Sequence, residues 1–510
     1  MKLFKKLLGS VIAASLVFSV ANAKTLKVAY DADPVTLDIH EQLSAGMLQH
    51  SHMVFDPLVR WNKEHGIDPR LATSWKRVND TTMVFELRKG VKFHSGNKFT
   101  AKDVKYTIER LQKSPDFKAI FAQISSVKVI NDYKIEIKTE KAYPLLINTM
   151  TYVFPMDSKF YAGKDEITKA GDSFASKNSS GTGPFTVTER QQGVKTVYTA
   201  FKGYWDPKKG NVTKVILTPI SENGTRTAAL LSGDVDFIAP VAPTDFKLIK
   251  KNKKTKLITL PGTRIITFHM NQEKNKALSN VKVRQAIVHA INNKAIVKKI
   301  LKGFGTPAGQ MSPAGYQGYN KDLDPRYNLK KAKKLMKEAG YTNGFKLTMM
   351  APNNRYVNDA KIAQAVASML AKIKIKVELK TMPKAQYWPK FDERAADMMM
   401  IGWHSDTEDS ANFNEYLTMC PNKETGIGAY NANEYCNKEV DALTNKANAE
   451  TNLKKRSAML QKAEAIMYKD AAFVPLHWQN LAWAERKGVN AESILNNMNF
   501  PYFGNLVIKK

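Results

Sequence analysis

Between Asn358 and Leu379 the apolar residues change period, and that change restricts the chain to folds that alternate helix with strand. Ile362, Val366, Met369, Leu370 and Ile373 recur at the spacing of one helix face, with Asn358 placed to cap it. Ile373, Ile375, Val377 and Leu379 then recur at every second position, as in a strand. Met398-Met399-Met400-Ile401 is a short unbroken apolar run ending at Gly402-Trp403, as expected of a strand buried on both faces of a parallel sheet. Residues 284–301 carry Ile287, Ala290, Ile291, Val297, Ile300 and Leu301 with Gly303 as the stop, which reads as one amphipathic helix. Leu26-Lys27-Val28-Ala29-Tyr30 alternates as a strand, and residues 505–510 read as a second one. The class is therefore α/β. The polar, Gly/Ser-rich stretch 173–183 is the best internal break.

The first 23 residues are of another kind: three lysines, an apolar run over 7–20, then Ala21-Asn22-Ala23 as a small-x-small cleavage site. They form a secretory signal peptide rather than a structural helix, because the apolar run is shorter than the ~18 residues that spanning a bilayer needs. No cysteine follows the site, so a lipoprotein is not expected. The 510-residue chain carries a formal charge of +31, and cleavage removes three lysines and no acid, leaving +28. The remaining lysines are dispersed and interleaved with acids, and no nucleic-acid-binding module accompanies them, so the charge reads as a solvated surface. The only two cysteines, Cys420 and Cys436, lie close together in a chain sent to an oxidising compartment, where a disulfide is expected. Two thiolates are only half of a zinc site.

Catalytic motifs are absent: there is no G-x-S-x-G elbow, no Walker A loop and no H-E-x-x-H. Without an evident nucleophile and base, a hydrolase or chaperone reading has only the export signal behind it. In 398–413, MMMIGWHSDTEDSANF, a buried strand delivers Gly402 and Trp403 to its carboxyl end, where open α/β sheets place ligands. Trp403 offers an apolar face, and Asp406, Glu408 and Asp409 offer carboxylates for an ammonium group. Arg355 has the planar fork that binds a carboxylate bidentately. The spacing alone leaves open the alternatives of a core tryptophan, a solvated acidic loop and a surface arginine.

Several further segments carry a resemblance over essentially all of the chain beyond residue 23. They are Phe55-Asp56-Pro57-Leu58-Val59; Pro69-Arg70-Leu71-Ala72 with Trp75; Phe85-Glu86-Leu87-Arg88-Lys89-Gly90-Val91-Lys92-Phe93-His94-Ser95-Gly96; and Gly181-Thr182-Gly183-Pro184-Phe185. Leu231-Ser232-Gly233-Asp234-Val235-Asp236, Val283-Arg284-Gln285-Ala286-Ile287 and Lys337-Glu338-Ala339-Gly340 follow in order. The chain resembles the extracytoplasmic solute-binding proteins of the peptide, oligopeptide and nickel group of ABC importers, most of all the dipeptide-binding kind.

The resemblance implies a bilobed periplasmic-binding-protein fold with mixed sheets and a hinge. The first lobe would comprise 24–58, 181–268 and 478–510, with an extra subdomain over 59–180, and the second lobe 269–477. It implies a monomer that binds a dipeptide or short peptide between the lobes by hinge closure, delivers it to inner-membrane permease subunits, and uses no cofactor. Asp406 matches the aspartate that takes the ligand's ammonium group, and Arg355 the arginine that takes its carboxylate. Trp403 would pack on the peptide with Gly402 beside it, and Ser44-Ala45-Gly46 falls where the first lobe contributes backbone contacts. Nickel-chelate-binding members are also similar, and in that alternative an imidazole near the cleft holds the metal, His477 first and His404 second. The competing reading of His477 packs it against Trp478.

Overall fold

The computed structural model describes residues 24–168, 171–207, 209–405, 407–422 and 424–509, so the segment read as an export signal lies outside the described residues. Two strands organise everything else. Thr255–Met270 and Phe473–Arg486 run antiparallel along almost their whole lengths, and their register breaks between Leu260 and Arg264. Pro261-Gly262 sits at the break, where a Cβ on Gly262 would lie 2.1 Å from the Gln479 carbonyl oxygen. A glycine is what lets the strands approach there.

On one side of the break Phe473–Arg486 pairs with Phe237–Ala239, which leads through Lys24–Tyr30 to Val212–Pro219, Lys195–Ala200 and Phe185–Gln191. On the other side Thr255–Met270 pairs with Met398–Trp403, followed by Lys346–Pro352 and Lys376–Met382. A separate four-stranded antiparallel sheet, Ala72–Asn79, Thr82–Leu87, Lys134–Thr139 and Ile124–Asn131, packs with the helix Ala101–Leu111 on the first body.

The cores follow this division. Leu26, Phe55, Phe85, Phe99, Trp483 and Phe503 belong to one apolar cluster. Met398 and Met400 face a second cluster with Ile266, Ile287, Ile362 and Val366, whereas Met399 and Ile401 face a third with Phe413, Tyr387 and Trp478. The run 398–401 is thus buried on both faces, each side chain contributing roughly 1.5–3 kcal/mol. Its sheet is mixed rather than parallel: it pairs parallel with Lys346–Pro352 and antiparallel with Thr255–Met270.

Four local expectations change. The helix read over 284–301 is split, because Val281–Ala290 ends where Asn292 caps a new turn by accepting from the Ala295 N–H. The Asn293 amide there donates to the Ala308, Pro475 and Leu476 carbonyls. Of the stretch read as a strand over 505–510, the described residues 505–509 are not one: Leu506 and Ile508 are buried with Val507 out, but Ile508 N–H donates to the Asn211 side chain and Lys509 N–H to the Gly488 carbonyl instead of to a ladder. Lys24 Nζ donates to the Ile508 carbonyl at 2.7 Å, so the two ends of the described chain do meet in one body. The stretch 173–183 is no exposed linker. Ser180 and Thr182 are buried, and a Cβ on Gly181 or Gly183 would collide with the Val54 backbone. Finally, Asn358 precedes the helix Asp359–Ala371 in a left-handed conformation (φ 56°) and makes no side-chain cap; its amide donates to the Ile300 carbonyl.

Candidate functional site

A cleft of about 870 Å³ opens where the two long strands cross. Four groups of residues line it: Leu43, Ser44 and Leu48 with Tyr152; Thr263 and Arg264 with Gln479 and Leu481; Arg355 and Tyr356 with Trp388 and Asp392; and 401–404 with Tyr430 and 497–500. Arg355, Gly402, Trp403, His404 and Ser44 are all among them. Gly46 lies instead beside a smaller hollow of about 340 Å³ that shares Ser44 and Asn499 with the main cleft, and Ala45 is the first residue of the helix Ala45–Val54. Asp406 lies outside the described residues.

Each lining group is held by local chemistry. Arg355 precedes the helix Asp359–Ala371, and Asp359 Oδ2 accepts both the Arg355 N–H (2.9 Å) and the Tyr356 N–H (3.0 Å). This braces the backbone while the guanidinium stays exposed, 5.2 Å from the Tyr356 ring centroid. The Gly402 N–H donates to the Tyr356 hydroxyl at 2.7 Å, and a Cβ at 402 would stand 2.7 Å from that ring and 2.6 Å from Ile266. Glycine at this position is therefore what lets Tyr356 close the floor of the cleft. Trp403 is half-buried, donates from Nε1 to Asn412 Oδ1 at 2.8 Å, and packs beside Tyr416 and Tyr430 with ring centroids 5.1 and 4.9 Å away. Ser44 caps the helix Ala45–Val54 by accepting from the Met47 N–H.

His404 Nδ1 lies 2.8 Å from the Thr263 hydroxyl. Burial, with Arg264 nearby, pushes its imidazole down to about 3, so it is neutral at physiological pH and competent as a donor to a soft or borderline metal. His477 is elsewhere. It is 1 % exposed within the strand Phe473–Arg486, has neither ring nitrogen hydrogen-bonded, and burial pushes it down to about 3. The structure does not bring it to the cleft, because its strand position turns it into the packed interior beside Gly305.

The acidic loop also divides. Asp409 caps the helix Ser410–Leu417 and is paired with Arg456, and Glu408 is paired with His65. Neither carboxylate lines the cleft, so the expectation that both offer themselves to an ammonium group is corrected by these internal partners. Among the described lining residues the Lys, Arg, Asp or Glu side chains are Arg264, Arg355 and Asp392. Trp388, Asp392, Tyr430, Gln479 and 497–500 were not read from the sequence, and neither were Thr263 and Arg264, for which the interruption of a long strand by Pro261-Gly262 is the one signal that could have served. Cys420 and Cys436 form the expected disulfide, with Cα atoms 4.3 Å apart. Among the described residues no cluster of three or more His, Cys, Asp or Glu could hold a metal ion, and no helix is long and apolar enough to cross a membrane.

Residues 66–425 match the family described as "Bacterial extracellular solute-binding proteins, family 5 Middle". The dipeptide-binding protein of Escherichia coli (strain K12) is 30% identical over 430 residues, 79% of each chain. Heme-binding protein A of Haemophilus influenzae is 31% identical over 454 residues, covering 84% of this chain and 82% of that one. The solved periplasmic binding protein DppA of Helicobacter pylori, in complex with the peptide STSA, aligns with a TM-score of 0.76 at 26% identity over 96% of this chain and 98% of its own. The two bodies joined by crossing strands are the lobes of that bilobed fold, and its relatives are binding proteins rather than enzymes. The chain belongs to the family 5 solute-binding proteins of ABC importers.

Proposed function

We propose that the protein captures dipeptides or short peptides outside the cytoplasmic membrane and delivers them to the permease of an ABC importer. The observation that carries this reading is the convergence of Arg355, Trp403, Gly402 and Ser44 on one aromatic-walled cleft at the crossing of the long strands. A zwitterion enclosed there needs both charges met, since an unmatched buried charge costs several kcal/mol. Arg355 takes the carboxylate, Asp406 the ammonium group, and Trp403 stacks on the peptide. Export by cleavage after Ala23, a soluble monomer without a lipid anchor, and lobes bounded near residues 268 and 478 complete the proposal.

A second reading is capture of nickel as a small chelate, favoured by one observation: His404 presents a neutral imidazole at the cleft. His404 replaces His477 as the metal-binding candidate, because His477 is enclosed.

Calorimetric titration of refolded, ligand-free protein separates the two. Heat from a dipeptide panel, lost in Arg355→Ala and Asp406→Ala, supports the peptide reading. Heat from nickel plus free histidine and none from dipeptides, abolished by His404→Ala, supports the second. Binding of hemin or glutathione alone overturns both.

A further inference from the structure

His65 sits in the turn joining Val59–Trp61 to Ile67–Pro69, whose Val59 and Trp61 belong to the first lobe's core. Asn62 braces the turn: its Oδ1 accepts the Glu64 and Gly66 N–H groups at 3.0 and 2.8 Å, holding His65 at a left-handed φ of 61°. The ring reaches across to the second lobe. Its Nδ1 is 2.9 Å from Glu408 Oε2, and the two side chains are only 13% and 3% exposed. Its edge meets Tyr316, ring centroids 5.8 Å apart, and a Cβ on the adjoining Gly315 would lie 2.4 Å from the imidazole. The other nitrogen, Nε2, is 2.9 Å from Nδ2 of Asn497, a cleft-lining residue: the neutral ring accepts from this amide, and an imidazolium donates to the amide oxygen once the amide flips. A second strut runs alongside, since Asn148 Nδ2 donates to the Thr407 carbonyl at 2.7 Å.

Both struts grip residues 407–409, a few positions beyond the cleft-lining Trp403 and His404. On its far side the segment is anchored to its own lobe, through Asp409 to Arg456 and through the Ser410 N–H to the Gln317 carbonyl. We propose that His65 and Glu408 form a latch between the lobes that positions residues 407–409 and slows opening of the closed cleft, an inference that rests on the cleft being the ligand site. The charged and titratable groups facing the pair are few. Glu64 acts on His65 from its own turn, Tyr316 packs against the ring, and Tyr502 lies within electrostatic reach of Glu408. Burial works against the imidazolium, but the hydrogen bond and charge of Glu408, with Glu64 adding, hold the His65 imidazole above its ordinary value. Burial likewise raises the Glu408 carboxyl. The latched form thus holds a proton more tightly than separated side chains do. Its stabilisation is full below about pH 6.5 and is lost as pH rises through the raised imidazole value.

The test measures small-angle X-ray scattering of the ligand-free mature chain and the stopped-flow dissociation rate of the dipeptide Ala-Phe, between pH 6 and 9. His65→Ala and Glu408→Gln are each expected to enlarge the radius of gyration and to speed dissociation roughly tenfold, with the double variant no worse than either single one. His65→Gln should abolish the pH dependence of dissociation. An unchanged radius and rate in both single variants overturns the latch. If wild type does not bind Ala-Phe, the peptide reading fails while scattering still decides the latch: enlargement in the variants supports it, and superimposable profiles overturn it. Should Glu408→Gln fail to fold, Asn148→Ala tests the same grip through the second strut, by the same two outcomes.

Discussion

Asp409 and Arg456 are both fully buried, and they meet through two hydrogen bonds: Arg456 Nε to Asp409 Oδ2 at 3.0 Å and Nη2 to Oδ1 at 2.7 Å. The remaining guanidinium proton-bearing nitrogen donates to the Ala447 carbonyl, and Asp409 Oδ1 also accepts the Ala411 N–H at 2.8 Å to cap the helix Ser410–Leu417. Asp409→Ala removes three things at once: the counter-charge, both acceptors of the guanidinium, and the cap. An uncompensated charge left in such a site costs about 3–5 kcal/mol, and losing the cap about 1 kcal/mol. Asp409→Asn retains an acceptor for the cap and should cost less than Asp409→Ala. Arg456→Met leaves the carboxylate unpaired and should cost about as much as Asp409→Ala. Replacing both, as Asp409→Ala with Arg456→Met, should cost clearly less than the sum of those two single changes, because no charge is then stranded. Urea-unfolding midpoints of the four variants measure this directly. Single-variant costs below about 1 kcal/mol, or strict additivity in the double variant, would refute the claim that this acid serves the structure and not the ligand.

Gly402→Ala should leave the protein folded but weaken ligand binding by tenfold or more, as the new methyl displaces the Tyr356 ring; calorimetry checks it, and undiminished affinity would show that the ring has room to move. Cys420→Ser with Cys436→Ser opens a loop of sequence separation 16 and should lower the unfolding free energy by about 3 kcal/mol under oxidising conditions, read from urea denaturation. Burial pushes the Glu464 carboxyl up to about 7, so the folded state binds its proton more tightly than the unfolded chain, and stability contributed by that proton is lost as pH rises from about 4.5 to 7. Glu464→Gln should flatten that slope in a pH series of unfolding midpoints. The enclosed His269 and His477, both pushed down to about 3 by burial, act in the opposite sense, and stability should fall as pH drops below about 6.5.

What the amino-acid sequence made legible follows from which interactions are local. Periodicity located the helix Asp359–Ala371, the strand after it and the doubly buried run at 398–401, because burial of one face or two imprints directly on spacing. It misread 505–510 for a related reason: Leu506 and Ile508 do alternate inward, but alternation reports side-chain burial and says nothing of where backbone N–H groups find acceptors. Asn292 and Asn293 carried a break signal that the surrounding isoleucines and valines outweighed in a periodic count, although the break is made by three carbonyls from distant segments. The cleft shows the same limit more sharply. Arg355 and Trp403 were reachable through resemblance, but their neighbours Trp388, Gln479 and Asn497 are scattered over the chain and meet only because two long strands cross. Charge in a loop is the least legible property of all. Glu408 and Asp409 are adjacent with the same formal charge, yet one is paired with a histidine from far earlier in the chain and the other with a buried arginine that follows it. Only the partners, lying 343 and 47 positions away, decide which acids remain for a ligand.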